Sequence, residues 1–136
     1  MNQFITRYTG LPLPRRFYKI LEETLAKYDV AHSSGVTLSF RYEDYSAELG
    51  GYHPVEIRLD KEGDEWTLCY MTDFAWVGHP AELEKELDIC FVSQLFYGSM
   101  IGRMPLSRVK SFARTFVDNF VEYHDSGVYS VKLSAD

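Results

Sequence analysis

The stretch VEIRLDKEGDEWTLCYMTDFAW, residues 55–76, decides the fold. Val55, Ile57 and Leu59 alternate with Glu56, Arg58 and Asp60, the period of a strand with one buried face. Lys61-Glu62-Gly63-Asp64 then reads as a hairpin turn, with Gly63 free to take a positive φ. Trp66, Leu68, Tyr70, Phe74 and Trp76 share one parity of a long following strand, and Thr67, Cys69, Met71 and Asp73 share the other. Upstream, after the turn His32-Ser33-Ser34-Gly35, Val36, Leu38, Phe40 and Tyr42 alternate with Thr37, Ser39 and Arg41. Three such strands make an antiparallel meander with one apolar face that must be covered.

Helical periodicity on either side supplies the cover. After Leu11-Pro12-Leu13-Pro14, the apolar residues Phe17, Ile20, Leu21 and Leu25 fall on one stripe, and the spacing predicts a helix over about 14–28. Arg15 and Arg16 stand at its N-terminal end, against the helix dipole, so a carboxylate partner is expected for one of them. Val109, Phe112, Phe116, Val117, Phe120 and Val121 predict a second helix over about 108–123, with Ser107 as N-cap and Gly127 as stop. Gly78-His79-Pro80 ends the third strand. Residues 81–87 read as a helical turn or charged loop, 89–97 as a further strand or two, 98–105 as loop, and 128–133 as a last strand. The expected fold class is α+β, a mostly antiparallel twisted sheet with an N-terminal and a C-terminal amphipathic helix packed on it. Residues 1–136 read as a single domain, with 1–10 loose.

Charge narrows the partners. Of 136 residues, 14 are Lys or Arg and 20 Asp or Glu, a formal net charge of −6. Residues 43–88 hold 13 acids against 3 bases, so the excess sits in the middle of the chain. The bland reading is a solvated sheet face with its turns, and the sharper one is a docking surface for a basic protein. A general nucleic-acid binder is disfavoured, because phosphate neutralisation needs a basic surface. The chain opens without a basic, then apolar, leader, and no apolar run is long enough for a membrane helix. These observations place it in the cytoplasm and away from membranes. Cys69 and Cys90 have no zinc spacing and read as buried free thiols.

Common nucleotide, zinc-protease and hydrolase signatures are absent, and no cofactor is implied. The densest polar stretch is the 43–56 loop. Tyr45, Ser46, Glu48 and His53, with Asp73 from the third strand, are the candidate ligand- or partner-binding residues. Against that, Gly50 and Gly51 suit a structured turn in which Ser46, Glu48 and His53 satisfy backbone groups. His53, Glu56, Asp73 and His79 match no metal-ligand spacing, and Ser46, His53 and Asp73 show no mark of a catalytic triad. Asp73 on its own reads as facing solvent on the far side of the sheet. Arg103, Arg108, Lys110 and Arg114 form a candidate basic patch. Its readings are a solvated helix face, an anion site, or a meeting place with the acidic middle of a second copy. The 10 tyrosines and 9 phenylalanines are numerous for this length; most read as core, and any surplus outside it would support a contact surface.

Three segments carry a resemblance: Tyr45-Ser46-Ala47, Gly50 to Ile57 (GGYHPVEI), and Thr72-Asp73-Phe74. They resemble a gammaproteobacterial family of unknown function with a member on a Vibrio pathogenicity island. The resemblance implies a fold related to an acidic mitochondrial matrix protein that binds a complement component, a twisted antiparallel sheet flanked by helices in oligomers. It brings no catalytic residues. The function these readings favour is a non-enzymatic acidic protein-binding module, virulence-associated and self-associating. The alternative is a small-molecule or hydrolytic site on the 43–56 loop with His53 and Asp73.

Overall fold

A computed structural model of the chain describes residues 4–136. The elements in chain order are β1 (Phe4–Ile5), α1 (Arg15–Leu25), β2 (Gly35–Arg41), β3 (Val55–Glu62), β4 (Glu65–Val77) and β5 (Glu82–Cys90). They continue with β6 (Leu95–Gly98), β7 (Gly102–Pro105), a 3-10 turn (Leu106–Arg108), α2 (Lys110–Asp125) and β8 (Ser130–Ala135). The fold class is α+β. Seven strands run β7-β6-β5-β4-β3-β2-β8, each pair antiparallel, and β1 joins the sheet as its eighth strand, parallel to the Glu65–Trp66 end of β4.

One face of the sheet is apolar and buried under the helices. Val36, Leu38 and Phe40 of β2, Ile57 and Leu59 of β3, and Trp66 of β4 are fully buried. They pack in one cluster with Phe17, Ile20, Leu21 and Leu25 of α1 and Ala113, Val117 and Phe120 of α2. The α1 stripe is the one the spacing predicts. Pro14 stands at the N-cap with extended backbone, where its missing N–H costs nothing. Arg16 has the carboxylate partner expected of it: its Nε and Nη2 donate to Asp125 at 3.1 and 2.8 Å, and its Nη1 donates to Glu23 at 2.8 Å. The basic N-terminal end of α1 is thereby tied to the C-terminal end of α2.

Several boundaries differ from expectation, each for a local reason. Residues 82–90 form a strand, neither helical turn nor loop. Its first four residues, Glu82 to Lys85, are all exposed at the end of a hairpin, so ladder hydrogen bonds to β4 hold it without any apolar alternation. Residues 102–105 are not loop but a short edge strand paired with β6. Ser107 is not the N-cap of α2. It lies within the 3-10 turn, and Val109 occupies the cap position without a side-chain bond. The opening residues were expected to be loose. Residues 1–3 lie outside the described ones, while Ile5 is fully buried and Thr6 N–H donates to the Trp66 carbonyl at 2.9 Å.

Two β-bulges matter most. In the β3–β4 ladder Arg58 faces Tyr70 and Leu59 faces Leu68, so Cys69 is an extra residue. The bulge exchanges the parity of β4: Trp66 and Leu68 point into the core before it, and Met71 and Asp73 point inward after it. Asp73 is therefore not on the solvent side, and only 7% of it is exposed. In the β4–β5 ladder Asp73 faces Leu87 and Phe74 faces Lys85, which makes Glu86 the second extra residue.

A candidate site beneath the second helix

Between α2 and the residues Val55 of β3, Asp73 of β4 and Leu87 of β5 lies a cleft of about 300 Å³. Phe112, Phe116 and Tyr123 of α2 form one wall, and Tyr52 and Tyr129 face them from the loops. The tyrosine rings pack against one another: Tyr52 lies 4.7 Å from Tyr123 in a tilted contact and 5.2 Å from Tyr42 in a T-shaped one, between centroids. Burial raises the Tyr129 hydroxyl pKa, so that group stays neutral. Polar groups meet at the sheet end of this apolar chamber, the usual composition of a ligand site.

His53 arrives on the last turn of the 43–54 loop, Asp73 on β4 and Glu86 on the β5 bulge. His53 Nδ1 donates to Asp73 Oδ2 at 3.2 Å and lies 3.0 Å from Glu86 Oε2. Nδ1 has one hydrogen to give, and Asp73 takes it. Glu86 Oε2 is cut off from water with no hydrogen bond of its own. Asp73 Oδ1 accepts the Leu87 backbone N–H at 2.8 Å, which locks the carboxylate in place across the bulge. The hydrogen bond from His53 to Asp73 raises the imidazole pKa, the charges of Asp73 and Glu86 add to it, and burial opposes them. Two carboxylates set against a single imidazole leave net negative charge at the end of the cleft.

The five residues singled out on the loop and β4 separate into two sets. His53 and Asp73 meet directly, and Tyr45 joins them: its ring lies 5.3 Å from His53 and its hydroxyl accepts the Trp76 backbone N–H at 3.1 Å. Ser46 instead accepts the Leu49 N–H at 3.0 Å and bridges to Gly50, so it closes a turn. Glu48 is exposed at the same turn. Gly50 (φ 69°) and Gly51 (φ 130°) provide the left-handed backbone expected of them, and a Cβ on Gly51 would sit 2.8 Å from Tyr42. Glu56 lies on the opposite face, where it accepts from Tyr70, and His79 is exposed in the β4–β5 turn. Sequence reasoning missed Glu86. Its only signal is that it belongs to a charged strand, and nothing in the residue order announces a bulge.

The other candidates disperse. Arg114 donates to Asp118 at 3.0 Å and to the Pro12 carbonyl at 2.9 Å. Arg108 and Lys110 are exposed, and Arg103 stands on the β7 edge near Asp88. The acidic middle is not one face. Glu62, Asp64 and Glu65 lie at the β3–β4 turn, Glu56, Asp60 and Asp88 on the far face, and Asp73 and Glu86 at the cleft. Cys69 and Cys90 are free and half-buried. Burial, with Asp60 beside it, pushes the Cys69 thiol up to about 11, well away from reactivity.

Residues 15–134 match the family described as a protein of unknown function, DUF2787. The chain belongs to that family. Two solved structures share its fold over nearly the whole length. The hypothetical protein VC0508 from the VSP-II pathogenicity island of Vibrio cholerae is 29% identical with a TM-score of 0.89, over 98% of this chain and 99% of that one. VC1805 from pathogenicity island VPI-2 of the same species is 32% identical with a TM-score of 0.84, over 94% and 98%. VC1805 is described as sharing structural homology with the human P32 protein. A search of curated proteins finds no match. No described helix is long and apolar enough to cross a membrane.

Proposed function

We propose that this DUF2787 protein is a non-enzymatic protein-binding module, and that its cleft beneath α2 seats a basic side chain of its partner. The observation that carries the reading is the pairing of a tyrosine- and phenylalanine-lined chamber with the Asp73–Glu86 carboxylates at its end. A lysine or arginine entering there stacks its alkyl stem or guanidinium on the rings and meets excess negative charge. The kinship of VC1805 to P32 supports interaction with proteins, as does the tyrosine surplus on the cleft walls. The pathogenicity-island origin of both Vibrio relatives supports a partner encountered in virulence.

The docking surface is this cleft and not the acidic middle as a whole, since those acids are spread over several separate places. Self-association through Arg103, Arg108, Lys110 and Arg114 gains little from the geometry, because Arg114 is already engaged within the chain. The test is a fluorescence titration with short peptides matched in length and carrying arginine, lysine or glutamate. Basic peptides bind, more weakly as salt rises, and Tyr123→Ala and Glu86→Gln each weaken binding by about tenfold. No binding of any basic peptide, or equal binding by both variants, contradicts the reading.

A further inference from the structure

We propose that His53, Asp73 and Glu86 form a binding site for a first-row divalent metal ion, with Zn2+ the best match. Their donor atoms, Nδ1 and one carboxylate oxygen from each acid, lie within 4.8 Å of one another. An ion held about 2.0–2.2 Å from each donor spaces neighbouring donors roughly 2.8–3.6 Å apart at tetrahedral or octahedral angles. The separations from Nδ1 are 3.2 Å to Asp73 Oδ2 and 3.0 Å to Glu86 Oε2, so two of the three donor–donor edges already have the lengths an ion requires.

Three further features point to an ion rather than to a plain His–Asp pair. Glu86 Oε2 is shut off from water and makes no hydrogen bond, its one close polar neighbour being the His53 Nδ1 at 3.0 Å that is already engaged by Asp73, and an ion would supply the missing partner. The Asp73 side chain is only 10% exposed and its second oxygen is held by the Leu87 N–H, the kind of outer contact that orients a ligating carboxylate. Glu86 reaches the site only because a bulge re-aims it, and bulges of this kind commonly serve a site. One nitrogen and two oxygens favour zinc and its first-row neighbours over calcium or magnesium, which prefer all-oxygen shells. Three protein ligands leave a coordination position free, and the His53 and Glu86 side chains, each 36% exposed, leave a way in.

The site needs no partner protein, so it stands or falls apart from the basic-peptide reading. The two are linked in one respect: an ion and a basic side chain claim the same carboxylates, so each displaces the other.

The experiment is calorimetric titration of Zn2+ alone into chelator-treated protein, with Co2+ absorption as a second readout. One ion per chain is expected, with affinity at least tenfold lower in His53→Gln and in Glu86→Gln and unchanged in His79→Gln. Both ligand positions are partly exposed, and amide spectra of the variants check that they remain folded. The Co2+ spectrum lacks thiolate charge-transfer absorption, because neither cysteine belongs to the site. The absence of saturable uptake overturns the proposal, as does uptake that survives both ligand substitutions or that carries a thiolate band.

Discussion

The two ends of β4 present the same face of the same sheet to the helices, yet one end is core and the other lines a cleft. At the Trp66 end the indole is fully buried, β1 pairs alongside, and the Lys61 ammonium lies 5.5 Å from the ring centroid. At the Asp73 end the inward residue is a carboxylate that lines a cleft, and a histidine and a second acid close on it. Between them lies the Cys69 bulge. The difference teaches that a sheet can spend one stretch of a strand on packing and the next on chemistry. One inserted residue chooses which side chains of that stretch turn inward.

The largest expected effect breaks the packed end. Trp66→Ala removes a large, fully buried side chain and is expected to cost about 3–5 kcal/mol, read as a lower urea midpoint with an unchanged slope. A loss under about 1 kcal/mol would mean that the Trp66 end is no better sealed than the cleft.

The next effect sharpens the contrast at the other end. Asp73→Ala leaves the Leu87 N–H without its acceptor and is expected to cost about 1–3 kcal/mol. Asp73→Asn keeps a carbonyl oxygen for that N–H and is expected to cost clearly less, while still weakening basic-peptide binding. Equal losses in the two variants would show that the bond to Leu87 contributes nothing.

How much of this was legible in the residues follows the same division. Where alternation runs unbroken, as in Val36–Phe40 and Val55–Leu59, strand, face and pairing follow from the pattern. The stripe from Phe17 to Leu25 identified α1, and Gly63 (φ 62°) and Gly127 (φ 78°) sit at the turn and helix end where they were expected. Apart from the Ser107 cap, which a 3-10 turn displaces to Val109, the strand readings that failed lie at or beyond a bulge or where ladder bonds replace burial. Parity counted straight through Cys69 turned Asp73 outward. Glu82 to Lys85 has no apolar face and still forms a strand, because β4 supplies its partners. His53 and Asp73 were named as candidates for their chemistry, but their meeting depends on the Cys69 bulge and Glu86 on its own, and a bulge has no fixed residue signature.

The smallest effect concerns the tie between the helices, away from both ends of β4. Arg16 holds the Asp125 carboxyl below its ordinary pKa through their hydrogen bonds. Stability from this contact is present above the unfolded carboxylate pKa and lost as pH falls through the lower folded value. Both side chains are 40% exposed, so Asp125→Asn is expected to cost about 0.2–1 kcal/mol at neutral pH. Denaturation midpoints of the two proteins should converge in acid. A gap that widens as pH falls would reverse the sign.

The most direct test of the central claim asks where a basic ligand goes. Amide shift mapping during titration with an arginine-containing peptide separates the cleft from the exposed acids at the opposite end of β4. The expected result is perturbation centred on Tyr52, His53, Leu87 and Tyr123, diminished in Glu86→Gln. Perturbation centred on Glu62, Asp64 and Glu65 would contradict the account, because charge alone, without the aromatic chamber, would then be directing the ligand.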